Sequence, residues 1–384
     1  MNISNKHTNM QKDYFKVCVR CYTYNHAHFI EKAMNGFCIQ ETDFPFVCCI
    51  VDDASKDGEQ EVVKKYLLEH FDLDSKIVRN EETNDYVLTI ARHKTNISCF
   101  FAVYLLKYNH YGIKPKYPYF KELIKDVKYI ALCEGDDYWT DQQKLQMQYE
   151  YMESHPECTM TSHRAKLYSE KKKKYIGEQY CQNSDGVLNP VDIINRTGLY
   201  IPTCSLMYRS EIKKNYPDYC HNNHVGDYPL QITAAMKGKV YYFNKCMGVY
   251  RMNRASWIGR QKVESMDPAR LKVVCGQIKM FEGFATDYPI YKKVLQNKIS
   301  EHILKNMPRP ISGDYKDMLA YQKFFSEELN NLRLKWKFFY LICRLRIPYI
   351  KKIYHRVLLR AYQHKRLLYE NLIDKLISCF KMPN

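Results

Sequence analysis

Two acidic pairs, Asp52-Asp53 and Asp136-Asp137, each close an apolar run, and Glu134 stands two positions ahead of the second pair. The runs at 46–51 and 128–133 have the continuous apolar character of strands buried on both faces in a parallel sheet. Ligands of such sheets bind outside the carboxyl ends of the strands. Two acidic clusters brought together there repel each other, so their presence needs a reason. One reason is a hard divalent cation that bridges carboxylates and a diphosphate. Another is carboxylates that accept hydrogen bonds from ribose hydroxyls and a base N–H. Asp57 and Asp141 read more simply as turn formers and helix N-caps. A polar loop at 221–227 ends in Asp227, just before a helix with Pro229 in its first turn.

The elements that must position these residues follow from periodicity. A strand is expected over 16–21 and a helix over 28–39, where Phe29, Ala33, Met34 and Phe37 share one face. The 46–51 strand, a helix over 59–69 and a strand over 76–79 complete a β-α-β-α-β order, which implies a parallel sheet with right-handed crossovers. Residues 98–108 read as a helix, 128–133 as a strand, and 141–154 as a helix ended by Pro156. Strands are expected over 158–168, 201–208, 239–243 and 248–252, with a helix over 228–236 and helices onward from 267.

Composition narrows the classes. The chain has 384 residues, room for two or three domains. Hydrophobic residues are 46% and charged residues 26%, which excludes a wholly disordered chain. No apolar run reaches the roughly 18 residues of a membrane span, and the polar N-terminus reads as no secretory signal. Fifteen cysteines spread along such a chain read as reduced thiols in a cytosolic compartment, several of them small core hydrophobes. Cys18 and Cys21 lack the second pair a zinc site needs. The net charge is +17, but residues 331–384 hold 13 Lys/Arg against two acids, or +11 of it. The basic character thus belongs to the tail, which argues against nucleic-acid binding by the body. There is no G-x-G-x-x-G after the first strand, no P-loop and no G-x-S-x-G elbow.

Taken together the motifs resemble family-2 glycosyltransferases of GT-A fold. Residues 17–25, with Thr23-Tyr24-Asn25, look like their first strand and loop. Residues 50–58 look like V-D-D-x-S-x-D-G, and 129–145 are similar to the metal-binding D-x-D region of a bacterial surface-polysaccharide branch that reads E-G-D-D-Y-W-T-D-x-x-K-L. Residues 225–230 resemble the catalytic-base segment, and Gly248-Val249-Tyr250-Arg251 the segment after it. The likeness covers about residues 15–260, five motifs in order.

The resemblance implies an α/β GT-A catalytic domain over 15–262, with a nucleotide half at 15–140 and an acceptor half at 141–262. A flexible N-terminus (1–14) and a helical, basic extension (263–384) flank it. It implies that Tyr22, Thr23, Tyr24 and Asn25 line the nucleotide pocket and that Asp53, beside Asp52, hydrogen-bonds the base. Asp136 and Asp137 would hold Mn²⁺ or Mg²⁺ and the ribose, with Glu134 at the first D-x-D position and Asn253 where the family often has a histidine ligand. Asp227 would be the general base of an inverting displacement. Tyr138, Trp139 and Trp257 would shape the acceptor or sugar pocket, with core behind the metal loop as the equal alternative for Tyr138 and Trp139. The donor would be a nucleoside-diphosphate sugar, with UDP favoured, and the acceptor a lipid-linked or growing surface glycan.

Three positions depart from the pattern: Tyr22 replaces a usual Pro, Glu134 a usual Asp, and Asn253 a usual His; His221 and His224 are candidate substitutes but read first as solvent-facing loop histidines. Thr203 and Ser205 are candidates to touch a sugar but read first as strand, and Arg92, His93 and Lys94 are candidates for the diphosphate. The tail interleaves Trp336, Phe338, Phe339, Leu345 and Ile350 with Arg333, Lys335, Arg344, Lys351 and Lys352. That mixture suits an anionic bilayer surface, hence an expected peripheral site on the cytoplasmic face of the inner membrane. A helical subdomain is the plainer reading. Rival readings are a nucleotidyltransferase, a sugar-binding pseudoenzyme, and a non-catalytic glycan- or RNA-binding protein that uses the tail.

Overall fold

A computed structural model describes residues 15–111, 113, 119, 121, 127–196, 200–221, 223, 226–252, 268–306, 325, 326 and 329. Asn253, Trp257, His224 and the basic segment 331–384 lie outside them. The chain forms two compact units, one of residues 1–193, 197–217 and 225–261, the other of 194–196, 218–224 and 262–384.

The strands are β1 (Val17–Thr23), β2 (Phe46–Asp52), β3 (Phe71–Asp72), β4 (Arg79–Glu82), β5 (Tyr86–His93), β6 (Cys99–Leu106), β7 (Tyr129–Leu132), β8 (Tyr138–Trp139), β9 (Cys158–Ser169), β10 (Lys174–Gln179), β11 (Gly186–Val187), β12 (Met207–Arg209) and β13 (Lys239–Met252). They form one mixed sheet in the order β11-β13-β9-β12-β7-β1-β2-β6-β5-β3. Its centre, β7-β1-β2-β6, is parallel. β2 and β6 are buried along their whole length, as strands covered on both faces must be. The helices are α1 (Ile30–Cys38), α2 (Glu59–His70), α3 (Lys144–Ser154), α4 (Pro190–Arg196), α5 (Glu211–Lys214) and α6 (Asp227–Lys237). This is the GT-A arrangement, a mostly parallel Rossmann-like sheet at its centre with flanking helices.

The core of this unit gathers Val17, Val19, Phe37, Phe46, Ile50, Phe101 and Trp139, with Cys21, Cys48, Cys99 and Cys133 as small apolar members. Cys18 and Cys21 are both buried in β1; their odd separation sends the two side chains to opposite faces. In the second unit, α7 (Pro268–Asp287) and α8 (Lys292–Asn306) pack as a pair. There the buried Lys298 ammonium donates to Glu301 at 2.9 Å and to the Asn195 carbonyl at 2.8 Å.

Several expected elements differ. Residues 98–108 form a strand, β6, and not a helix, because Phe100, Phe101, Val103 and Tyr104 are inserted between β2 and β5 and buried on both faces. The third parallel strand is therefore β6; the strand near residue 79 is β4, shifted to Arg79–Glu82 and antiparallel to β5 at the sheet margin. The expected strand over 201–208 is a 3₁₀ turn, Thr203–Ser205, before the short β12, since Pro202 cannot donate to a ladder. The two expected closing strands are one, β13, with register shifts around Cys246.

Candidate active site

Register brings the acidic clusters together. Thr23, the last residue of β1, pairs with Asp52, the last of β2. On the other side Arg20 pairs with Leu132, the last of β7. The loop after β7 is tied down by Cys133 N–H to the Arg20 carbonyl (3.2 Å) and Gly135 N–H to the Tyr22 carbonyl (3.0 Å). A Cβ on Gly135 would stand 2.1 Å from Thr23 Oγ1. Only glycine lets the two loops meet this closely.

The first loop is a closed polar lattice. Glu59, fully buried at the start of α2, accepts from the Thr23 hydroxyl, from His26 N–H (2.8 Å) and from the Ser55 hydroxyl (2.8 Å). Burial raises the Glu59 carboxyl, and these three donors pull against that. Asn25 N–H donates to Ser55 Oγ at 2.8 Å, while Asn25 Oδ1 accepts from Lys56 N–H at 2.8 Å. Asn25 itself sits at φ 57°, a conformation that Asn tolerates. Tyr22 faces inward under the guanidinium of Arg20, 4.9 Å from its ring centre.

The β2 carboxylates are both buried. Asp52 Oδ1 accepts from Gln60 Nε2 (2.6 Å) and Ser55 N–H (3.1 Å), while Oδ2 has no hydrogen-bond partner among the described residues. Asp53 Oδ1 accepts from His110 N–H at 2.8 Å. Beyond them a cavity of about 590 Å³ is lined by Ser55, Lys56, Gln60, Lys64, Lys107 and Asn109 among others.

In the second loop, Glu134 lies 3.7 Å from Arg20 Nη2, and Asp136 Oδ2 lies 3.9 Å from His26 Nε2. Asp137 is buried, and its Oδ1 accepts from Arg251 N–H at 2.8 Å. Burial, then the neighbouring Asp136 charge, push the Asp137 carboxyl well above its ordinary range. The buried Arg251 also donates through Nε to the Asp136 carbonyl (2.7 Å) and through Nη1 to Glu170. Among the described residues no group of three or more His, Cys, Asp or Glu is placed to hold a metal. Asp136 is still a hard oxygen donor in a crowded acidic loop, and a divalent cation beside it would relieve that crowding. The donor chemistry therefore fits such an ion, provided a bound diphosphate supplies further ligands.

Trp139 stands in the core. It is 2% exposed, its indole N–H donates to the Cys204 carbonyl (2.8 Å), Phe37 meets it edge-on, and the Lys144 ammonium lies 3.9 Å from its ring centre. This packing leaves it no face for a sugar. Tyr138 is half-buried, its hydroxyl 3.2 Å from that of Tyr175.

Asp227 opens α6. Its Oδ2 accepts from the Thr203 hydroxyl at 2.7 Å and its Oδ1 from Tyr228 N–H at 2.8 Å. Two side chains feel both acidic regions. The half-buried Tyr250 phenol is pushed up by desolvation, then by Asp137 and Asp136, and further by Asp227. On Arg20, burial works against the charge, and Tyr22, Tyr208, Glu134 and Asp227 together hold it cationic. Asp227 and the carboxylates of the 134–137 loop thus act on the same two side chains. Of the diphosphate candidates, Lys94 donates to the Leu68 and Glu69 carbonyls and His93 accepts from Asn96 N–H (3.0 Å), local contacts at the end of α2.

Residues 19–93 match the model of glycosyl transferase family 2. Over those residues the chain is similar to family-2 glycosyltransferases, and the fold around them is of GT-A type. It is 29% identical over 232 residues to the uncharacterized proteins Rv1520 of Mycobacterium tuberculosis and Mb1547 of Mycobacterium bovis, a match covering 60% of this chain. The chain spans only 56% of the length of those relatives. The fold is similar to S. aureus TarS 1–349 in complex with UDP-GlcNAc, with a TM-score of 0.56 over 84% of this chain and 83% of that one, at 12% identity. A longer S. aureus TarS structure gives 0.52 over 84% of this chain and 50% of its own, at 13% identity.

Sequence reasoning passed over Arg20, His26 and Glu59. Arg20 and Glu59 occupy positions that patterning assigns to an apolar strand and a helix start. Their only signal is that each is a charged residue at the rim of a buried run.

Proposed function

We propose that the protein is an inverting glycosyltransferase that moves a sugar from a nucleoside-diphosphate donor, UDP-sugar in preference, to a hydroxyl of a glycan acceptor. The observation that supports this reading is that Asp227 and the carboxylates of the 134–137 loop all act electrostatically on Tyr250 and Arg20. A base and a leaving-group site must face one another across a displacement. The acceptor oxygen forms a bond to the anomeric carbon as the bond to the diphosphate oxygen breaks. The electron pair leaves with the nucleoside diphosphate and the acceptor proton goes to Asp227. Thr203, which donates to Asp227 Oδ2, leaves Oδ1 as the oxygen with only a backbone contact. Asp136, with Glu134 and Asp137 beside it and Asn253 as a further candidate, would hold Mn²⁺ or Mg²⁺. Such an ion supplies neutralising charge for the departing diphosphate. Tyr22, Thr23, Tyr24, Asn25, Asp52 and Asp53 would form the nucleotide side, and Tyr138 and Trp257 the sugar side. The acceptor is proposed to be lipid-linked, with the basic 331–384 segment on an anionic membrane surface. No helix among the described residues is long and apolar enough to cross a membrane.

The test is calorimetry with UDP, GDP, CDP and dTDP, each with Mn²⁺, Mg²⁺ or chelator. The expected result is metal-dependent binding of UDP that weakens at least about tenfold in Asp136→Asn, in line with the loss of a charge-assisted contact. Absence of nucleotide binding under every condition would overturn the reading.

A further inference from the structure

β10 pairs with β9 and lies off the main path of the sheet. Its residues from Lys174 to Glu178 are all exposed, so packing does not set their types. The turn before it reads Glu170-Lys171-Lys172-Lys173, and Lys174 extends the run into the strand. Lysine on an edge strand guards against pairing with another sheet. The turn has no edge to guard, and most of the run lies there. The two acids of the hairpin are already engaged, Glu170 by Arg251 and Lys173, and Glu178 by Arg164. Lys166, Lys171, Lys172 and Lys174 form no ion pair with an acid among the described residues.

This surplus of charge adjoins the candidate active site. Arg251, whose Nε donates to the Asp136 carbonyl at 2.7 Å, also donates to Glu170 at the start of the turn. Glu170 N–H donates to the Met252 carbonyl at 3.0 Å. The Tyr175 hydroxyl lies 3.2 Å from that of Tyr138, the residue after Asp137. Each of these linked rings has an ammonium near it. Lys166 stands 5.6 Å from the centre of Tyr175, and Lys32 of α1, itself exposed and without an ion pair among the described residues, 5.7 Å from that of Tyr138. From Asp137 to the turn the surface thus alternates phenols with uncompensated cations. Ammonium groups attract anions, and a tyrosine offers a rigid face and a hydroxyl to a sugar. The turn itself holds only Glu and Lys, without the Trp, Phe or Leu that an interfacial segment sinks into a bilayer, which favours a polyanionic chain over a membrane.

We propose that the β9–β10 hairpin and Lys32 dock an acidic glycan as the acceptor, its anionic groups on Lys32, Lys171, Lys172 and Lys174 and its sugar rings on Tyr138 and Tyr175. This rests on the glycosyltransferase reading and names the class of its acceptor.

The experiment is lysine acylation footprinting of the full chain, read by mass spectrometry. The probes are oligogalacturonate and dextran phosphate, their neutral counterparts methyl-esterified oligogalacturonate and dextran, and, in a separate arm, phosphatidylglycerol vesicles. The acidic glycans should shield Lys32, Lys171, Lys172 and Lys174, and the neutral ones should not. Lys171→Gln/Lys172→Gln/Lys174→Gln should weaken binding of the acidic glycans about tenfold and leave UDP affinity within about twofold. A charge-matched control, Lys65→Gln/Lys76→Gln/Lys292→Gln, removes exposed lysines from α2, from the turn before β4 and from α8, and should change glycan binding by less than about twofold. Shielding confined to the lysines of 331–384, equal binding of charged and neutral glycans, or a hairpin variant that binds as tightly as the wild type would each overturn the proposal. Shielding of the hairpin by vesicles alone would overturn it in favour of a bilayer. All of these outcomes leave the transferase reading standing; that reading fails separately, if the wild-type chain binds no nucleotide.

Discussion

Asp227 can act as a base only if its carboxylate is held at a fixed angle, and the structure supplies two holders of different kinds. Tyr228 N–H comes from the helix backbone and is insensitive to side-chain replacement, whereas the Thr203 hydroxyl is a single removable atom on another segment. This separates the chemistry of the carboxylate from its placement. Asp227→Asn removes the proton acceptor at constant shape and should lower kcat by about 10²–10⁴, with UDP affinity changed less than about twofold. Thr203→Val should cost about tenfold in kcat and leave nucleotide affinity untouched, since only orientation is lost. Steady-state kinetics beside nucleotide titrations distinguish the two. A Thr203→Val enzyme as slow as Asp227→Asn would show that Thr203 does more than orient the base.

Among the elements, the loop after β7 is kept in place from behind. Trp139 on β8 is clamped by Phe37 of α1, by the Cys204 carbonyl and by Lys144 at the start of α3. Lys144 is fully buried; its ammonium donates to Gln148 Oε1 at 2.7 Å. Burial pushes it down to about 7, with the thiols of Cys133 and Cys204 and the Trp139 face pulling the other way. The native state therefore releases this proton before the unfolded chain does. From about pH 7 upward the unfolded state binds more protons and stability rises with pH; below pH 7 both states hold the proton and the contribution is flat. Higher up the buried thiols oppose the trend, since Cys18 and Cys48, pushed up to about 12, keep protons that unfolded cysteines lose. Urea unfolding between pH 7 and 8.5 should show the wild type gaining about 1–2 kcal/mol relative to Lys144→Met. A pH-independent difference would mean that Lys144 is charged in the fold throughout. The sequence alone made the parallel centre legible, because the runs ending in Asp52 and before Glu134 are apolar on both faces. It misread 98–108 as helical because a strand buried on both faces has no period of two to set it apart from a buried helix. The sequence leaves Trp139 open as pocket lining or as core; what settles it as core is Phe37 on α1 and the Cys204 carbonyl in the Thr203–Ser205 turn, both distant in sequence, with Lys144 nearby on α3.

For the whole molecule the decisive asymmetry is charge. Residues 331–384 carry +11 of the +17, and they mix Lys and Arg with Trp336, Phe338, Phe339, Leu345 and Ile350. An acceptor carried on a lipid would have to be met at a surface, and the central strands of the sheet are spent on burial. The basic segment is the part of this sequence with the composition for that task. Each basic residue near an anionic surface contributes about 1 kcal/mol, and the attraction fades within a Debye length of about 8 Å at physiological salt. Replacing Arg344, Arg346, Lys351 and Lys352 with Gln should therefore weaken sedimentation with phosphatidylglycerol vesicles by at least about 10²-fold, with no effect on UDP binding. Binding of the wild-type chain should fall steeply between 50 and 500 mM salt, as screening predicts, and should vanish on purely zwitterionic vesicles. Equal binding to zwitterionic and anionic vesicles would assign the attachment to the aromatic residues. No binding to either would make the segment a helical subdomain whose apolar side is satisfied within the protein, and a lipid-linked acceptor would then have to be recognised through its glycan alone.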